Sequence, residues 1–374
     1  MKFVDLNAQF RGVESETRSA IDRVLEHGQF IMGPEVFELE EKLVDFTGVK
    51  HAISCASGTD ALLMALMAYD VGPGDAVFTT PFTFFATAEV IALLGATPVF
   101  VDIDVDTFNI DPEKLESAIE KFKQTSELRP RGVIPVDLFG LTADYSRINE
   151  ISRKHDLFVI EDAAQSFGAV CEGKRAGSLA DIGTTSFFPA KPLGAYGDGG
   201  AVFTDDDALA GELRSIRIHG QGTNQYDNIR LGITGRLDTI QAAVLICKLK
   251  IFENELARRN EIASHYQRSL SDAVKTPSVP ENYSSAWALF SILSDQRDTI
   301  KQTLQEAGIP SVVYYPKPLH LQPAFQPLNK GKGSFPIAEK ISEEILSLPI
   351  HPYLTEAEVE KVSSCVVNVV GKAA

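Results

Sequence analysis

Residues 158–205, FVIEDAAQSFGAVCEGKRAGSLADIGTTSFFPAKPLGAYGDGGAVFTD, contain the pattern on which the fold turns. The runs DLFVIEDAA, IGTTSFFP and GGAVFTD are short, apolar or β-branched, and bounded by turn residues, as buried strands are. Working outward from about residue 50, HAISCAS, DAVFTTP, TPVFVDID and RGVIPVDLFG repeat that pattern, with helix-like stretches between them. Strands alternating with helices need crossover connections, hence a mostly parallel sheet with helices on both faces. The expected class is α/β.

Open sheets of this kind hold ligand beyond the carboxyl ends of their strands. Ser57-Gly58-Thr59 follows HAISCA, Phe82-Thr83-Phe84 follows VFTTP, Asp162 follows FVIE and Lys191 follows TSFFPA, so four strand exits should meet at one edge. A carboxylate at such a mouth needs a cationic partner, although a strand-to-helix aspartate is more often a helix cap. Lys191 lies between Pro189 and Pro192 and ahead of Gly194, Gly197, Gly199 and Gly200. It therefore sits outside a regular helix, on a loop that allows close approach. The plain alternative is a solvated surface lysine. Ser57-Gly58-Thr59-Asp60 opens the helix ALLMALMAYD, and a helix start favours phosphate, though serine and threonine are ordinary caps. Neither GxxxxGK[ST] nor a GxGxxG after a strand is present. The aromatics of Phe82-Thr83-Phe84-Phe85 pack a core by default, but one ring could stack on a flat heterocycle.

Downstream, RLDTIQAAVLICKLKIFENELARRNEIASHYQRSL, from Arg236 to about Leu270, has helical periodicity and predicts a long helix leaving the first domain. The expected division is a large α/β domain over 1–250 and a smaller C-terminal α+β domain over 251–374, with AWALFSIL and IPSVVYY as strand candidates.

Composition narrows the function. The 374 residues carry 35 Lys+Arg against 51 Asp+Glu, a net charge of −16, so nucleic acid and anionic membranes are poor partners. MKFVDLNAQF lacks the features of a secretory signal, and no apolar run approaches the ~20 residues of a membrane span, which makes the cytoplasm the expected compartment. Cys55, Cys171, Cys247 and Cys365 are scattered, as are the seven histidines, so reduced thiols and no metal are expected.

An amine nucleophile, a carboxylate for a ring nitrogen, a phosphate cradle and an aromatic plate together match one common cofactor, pyridoxal 5′-phosphate. With these pieces in place, the chain resembles the DegT/DnrJ/EryC1/StrS family of pyridoxal-phosphate-dependent nucleotide-sugar aminotransferases, of the aspartate-aminotransferase fold (fold type I). The resemblance runs from FVDLNAQF and GQFIMGPEVFELE to SLPIHPYL and is most specific in CASGTDAL, TPFTFFATA, VIEDAAQSFGA, SFFPAKPLGAYGDGGA and GRLDTIQAAVL. It implies Lys191 as Schiff-base lysine and proton shuttle, Asp162 on the pyridine nitrogen and Gln165 on the phenolic oxygen. It further implies Gly58, Thr59 and Ser186 on the phosphate, Phe84 stacked on the ring, and a homodimer in which the GRLDTIQ segment enters the neighbouring site. The chain departs from the family twice. Thr234 stands where an asparagine is usual, with a shorter reach to the partner's phosphate, and Tyr314-Tyr315 replaces a common His-Tyr on the sugar side. The implied reaction moves an amino group from glutamate to a keto-sugar nucleotide. The favoured substrate is a UDP-linked 2-acetamido-3-keto-glucuronate whose carboxylate Arg236 would bind. A dTDP- or GDP-linked keto-deoxysugar aminated at C3 or C4, or a non-catalytic cofactor-binding regulator, are the alternatives.

Overall fold

The structure, a computed structural model, describes residues 1–224 and 226–371. Its twelve strands are β1 (His51–Cys55), β2 (Asp75–Thr79), β3 (Thr97–Phe100), β4 (Arg129–Ile134), β5 (Phe158–Asp162), β6 (Val170–Cys171), β7 (Lys174–Arg175), β8 (Ile182–Ser186), β9 (Gly200–Thr204), β10 (Tyr283–Ser284), β11 (Phe290–Leu293) and β12 (Ile345–Leu348). Seven of them form the central sheet in the order β1-β9-β8-β5-β4-β2-β3. The pairs β3/β2, β2/β4, β4/β5 and β5/β8 are parallel, and β9 runs antiparallel to both its neighbours. Every one of the seven sequence-predicted strands is present. The ends of β1, β2, β5 and β8 therefore reach the same edge, as expected from their exit residues.

The helices are α1 (Leu6–His27), α2 (Pro34–Thr47), α3 (Gly58–Ala68), α4 (Ala86–Leu93), α5 (Pro112–Thr125), α6 (Tyr145–His155), α7 (Asp207–Ile216), α8 (Thr239–Leu270), α9 (Arg297–Glu306), α10 (Pro336–Glu344) and α11 (Glu356–Val370). Alternate residues along the strands feed opposite faces, which is the period-2 geometry of a pleated chain. Ile53, Val77, Ile134, Ile160 and Val202 pack on α3, α4 and α7. On the other face Phe78, Val133 and Val159 pack on α5 and α6, while Ala52 and Phe203 pack on α2 and α8. Burial on both faces explains the continuous apolar runs.

Helix α8, 32 residues and about 48 Å at 1.5 Å per residue, bridges two cores. Leu245, Phe252 and Leu256 sit with Phe167 and Phe187 in the first. Ile262, Tyr266 and Leu270 sit with Phe290, Ile292 and Leu346 in the second. The C-terminal region is built on the antiparallel pair β11/β12. AWALFSIL supplies β11, but IPSVVYY does not form a strand: Val312 makes one bridge to Ser347, after which the chain turns toward the large sheet. A remote cap ties the two parts together, since the Asp102 carboxylate beyond β3 accepts from the amides of Ile337 and Ala338 at the start of α10, both 3.0 Å.

Candidate active site

Asp162 ends β5 and is buried. Its Oδ2 accepts from the Thr87 hydroxyl at 2.8 Å, and its Oδ1 accepts from the Ala164 amide at 3.2 Å. No helix follows Asp162 directly, so the capping explanation for this residue does not apply. Thr87 lies 3.2 Å from the Thr83 hydroxyl. Because an ionised carboxylate only accepts, Thr87 donates to Asp162 and must itself accept from Thr83, which fixes the direction of both bonds. Burial pushes the Asp162 carboxyl above the usual carboxylate range, while Thr87, the Ala164 amide and the nearby Lys191 charge pull it back.

Lys191 stands at the apex of a self-closing loop. Its amide donates to Phe188 O at 2.8 Å, and the Ala195 amide donates to Phe187 O at 2.7 Å. Burial lowers the pKa of its amine and the Asp162 charge raises it. An amine so placed loses its proton more readily than a solvated lysine, as a nucleophile must.

The cradle next to it is made by the start of α3 and the end of β8. Ser57 caps α3, its hydroxyl accepting from the Asp60 amide at 3.0 Å and its carbonyl from the Ala61 amide. That leaves the Gly58 and Thr59 amides without partners among the described residues, at the positive end of the helix dipole. A Cβ added at Gly58 would stand 2.6 Å from the Cβ of Ser186, so only glycine lets this helix end lie against β8. The Ser186 hydroxyl accepts from the Phe188 amide at 3.2 Å and keeps its own proton to donate.

Gln165 is oriented by its neighbours. Its Oε1 accepts from the Phe139 amide at 3.0 Å, which turns Nε2 toward the Tyr315 hydroxyl at 3.3 Å. Tyr315, expected on the sugar side, thus joins the Gln165 wall, with its ring edge-on to Phe82. Tyr314 is half-buried between Tyr315 and Phe3. Phe84 is 57% exposed at the end of the β2 loop, an aromatic face turned to solvent rather than packed in the core. Thr234 is exposed, and its hydroxyl is engaged by His219 Nε2 at 2.9 Å, so within one chain it does not reach the cradle. The adjacent Gly235 carbonyl accepts from Ala56 just ahead of the cradle, at 3.0 Å. Arg236 is half-buried, and its Nε has no partner among the described residues. Thr87 escaped the sequence reading, because nothing in TPFTFFATA marks it as the residue that meets a carboxylate 75 positions away.

The family model described as the DegT/DnrJ/EryC1/StrS aminotransferase family matches residues 12–367. The chain belongs to this family. It is 47% identical over 369 residues, 98% of this chain and 100% of the relative, to a UDP-2-acetamido-2-deoxy-3-oxo-D-glucuronate aminotransferase of Pseudomonas aeruginosa. Among solved structures, a DegT DnrJ EryC1 StrS aminotransferase from Brucella abortus superposes with a TM-score of 0.97 at 52% identity, covering 99% of this chain and 100% of that one. The pyridoxal-phosphate form of the sugar aminotransferase Spr1654 from Streptococcus pneumoniae gives 0.88 at 27% identity, covering 96% and 97%. The protein is a pyridoxal-phosphate-dependent sugar aminotransferase with the aspartate-aminotransferase fold. Its own residues fit that cofactor: two amides at a helix start without partners among the described residues, the Ser186 hydroxyl at the end of β8 beside them, a buried carboxylate with a readily deprotonated amine near it, and an exposed ring.

Proposed function

We propose that this DegT-family enzyme moves the amino group of glutamate to C3 of a UDP-linked 2-acetamido-3-keto-glucuronate. The observation that carries the chemistry is the Lys191 amine, set on its closed loop near the buried Asp162 carboxylate, at the edge where four strands end. The sugar rests on the 47% identity to the P. aeruginosa enzyme and on the partnerless Nε of Arg236, a planar donor suited to a carboxylate.

In this reading Gly58, Thr59 and Ser186 would hold the phosphate, Phe84 would stack on the ring, and Gln165 would donate Nε2 to the phenolic oxygen. Pyridoxal phosphate, when bound, supplies the electron sink that makes a proton on the donor's α carbon removable. Lys191 would hold the cofactor's aldehyde carbon, and its amine, once free, would be the base placed to take the donor's α proton and to give it back across the donor nitrogen. Asp162 would keep a proton on the ring nitrogen by charge, with Thr87 holding the carboxylate ionised and aimed. Tyr314 and Tyr315 then border the sugar side, with the Tyr315 hydroxyl also meeting Gln165.

A homodimer belongs to the same proposal. Phe30, Ile31, Phe188, Ile229 and Leu231 are large apolar side chains on the surface of one chain, and Phe188 is close in sequence to Lys191. A second copy that covers them would bring the 232–236 segment, with Thr234, to its neighbour's cradle. We further propose a division into domains 1–250 and 251–374, with α8 as the shared strut, and a cytoplasmic setting that matches four free cysteines. No helix among the described residues is long and apolar enough to cross a membrane.

The deciding experiment is coupled turnover with glutamate and a panel of 3-keto and 4-keto nucleotide sugars, followed by the visible absorbance of bound cofactor. Bleaching by glutamate and turnover of the 3-keto uronate are expected. Exclusive use of a 4-keto substrate would reject the sugar assignment, and colour without bleaching would favour the regulator.

A further inference from the structure

One buried cation plays no part in the chemistry above. Lys248 lies in α8 and is only 1% exposed. Its ammonium donates to the Gly194 carbonyl at 2.6 Å and stands 4.1 Å from the centre of the Tyr196 ring. Among the described residues it has no ion pair. The nearest carboxylate that acts on it, Glu255, is already engaged by Gln9 Nε2 and by the Tyr353 hydroxyl. A buried cation is costly, and a methionine would fill the same space without that cost. Both of its contacts fall within residues 194–196, directly after Lys191.

The loop it grips is short and closed on itself. A Cβ on Gly194 would stand 2.4 Å from Pro189 O, so the two legs of the loop touch. The Lys191 amide closes the ascending leg on Phe188, and the Ala195 amide bonds the descending leg back to Phe187. The descending leg is tied to α8 twice, by Lys248 on Gly194 and by Gln241 Oε1, which accepts from the Tyr196 amide at 2.9 Å. Helix α8 spans both cores and is a rigid base for such a tie.

We propose that Lys248 is a positioning residue for Lys191: by holding the Gly194 carbonyl and the Tyr196 ring against α8, it sets where the reactive amine stands. The inference rests on Lys191 being the amine that holds the cofactor. It requires the hydrogen bond to Gly194, for which a neutral donor of similar reach can substitute.

The test compares wild type, Lys248→Met and Lys248→Gln. In cofactor-free protein, amide hydrogen exchange across residues 191–196 is expected to speed about tenfold in Lys248→Met, because the descending leg loses one of the two residues that tie it to α8. In the loaded enzyme, kcat is expected to fall about tenfold with the KM for glutamate within twofold, since a small displacement of the amine harms the step after binding. The visible cofactor band should also form more slowly. Lys248→Gln should recover most of each change. The proposal is overturned if Lys248→Met folds with unchanged exchange and kcat, if it loses thermal stability while both stay at wild-type values, or if Lys248→Gln matches Lys248→Met. Should wild type turn over none of the keto-sugar nucleotides, the substrate assignment fails on its own, and the exchange comparison still decides Lys248.

Discussion

Glu161 and Asp162 are consecutive residues on β5, both buried, and they face opposite sides of the sheet to opposite ends. Glu161 is closed by the protein: Oε1 accepts from the Gly177 amide at 2.6 Å and Oε2 from the Leu179 amide at 2.9 Å. Its neighbour Asp137 is equally enclosed, accepting from the Ala143 amide, the Tyr145 hydroxyl and the Ser166 hydroxyl at 2.7–2.9 Å. Asp162 has one strong donor, Thr87, and one long contact to Ala164. A carboxylate that builds the fold is saturated with donors, whereas one that serves chemistry keeps acceptor capacity for what binds. The comparison also separates the costs: the first pair should matter for stability, and the second site for turnover.

The largest effect that sharpens this contrast belongs to the amine beside Asp162. Lys191→Ala removes both the anchor and the proton carrier, and turnover should fall by about 10⁴-fold or more, with loss of the visible band of bound cofactor. A variant that keeps both would end the assignment. Next in size is Asp162→Asn, for which kcat should drop about 10²- to 10³-fold while the protein still takes up pyridoxal phosphate, because an amide cannot hold the ring proton by charge. Cofactor titration alongside steady-state kinetics checks both halves. Unchanged kcat would mean that the open carboxylate is no more functional than the closed one.

Thr87 offers a finer cut. Thr87→Val keeps the shape and deletes the donor to Oδ2, which leaves Asp162 with the 3.2 Å contact to Ala164 and a carboxyl that protonates more readily. We expect kcat to fall about 10-fold, in line with the loss of one charge-assisted hydrogen bond, and the acidic limb of its pH profile to move upward. Thr87→Ser should restore both. An acidic limb that stays in place in Thr87→Val would show that Thr87 only fills space.

The two regions also differ in how far a sequence reveals them. The seven strands were legible because burial on both faces demands β-branched and apolar runs, and Asp162 and Lys191 were legible because they stand at the ends of those runs. Side-chain partners across the fold were not. Thr87 sits in the first turn of α4, where threonine is unremarkable, and its meeting with Asp162 depends on β2 and β5 being brought together by β4. Lys248 is one of two lysines in ICKLKIF, and only the packing of α8 shows that it is buried while Lys250 is exposed. IPSVVYY has strand composition, yet the turn that delivers Tyr314 and Tyr315 limits it to one bridge with Ser347. Local pattern reports how a segment is buried, and the identity of its partner is a property of the assembled chain.

The smallest effect tests the closed pair, and it concerns stability rather than rate. Burial raises the Asp137 carboxyl to about 7, and burial together with the charge of Asp137 holds Glu161 well above the usual range. The folded protein therefore keeps a proton there that the unfolded chain, with an ordinary aspartate near 3.9, has already released. Stability from this site is full below the unfolded value and is lost as pH rises through about 7. Asp137→Asn cannot titrate. Its Oδ1 can still accept from Ala143 and Tyr145, and the new amide can donate to the Ser166 oxygen, whose hydroxyl is free to turn. Between pH 5.5 and pH 8 the melting temperature of wild type should fall by about 1 °C more than that of Asp137→Asn for each 1 kcal/mol lost, the scale set by a chain of this size. Turnover at neutral pH should be unaffected, since the Asp137 carboxylate bonds to Ala143, Tyr145 and Ser166 and has no contact with Lys191 among the described residues. Parallel melting curves across that range would mean that the pair is ionised throughout, and that saturation by donors alone, without a shared proton, is what keeps a carboxylate inside this sheet.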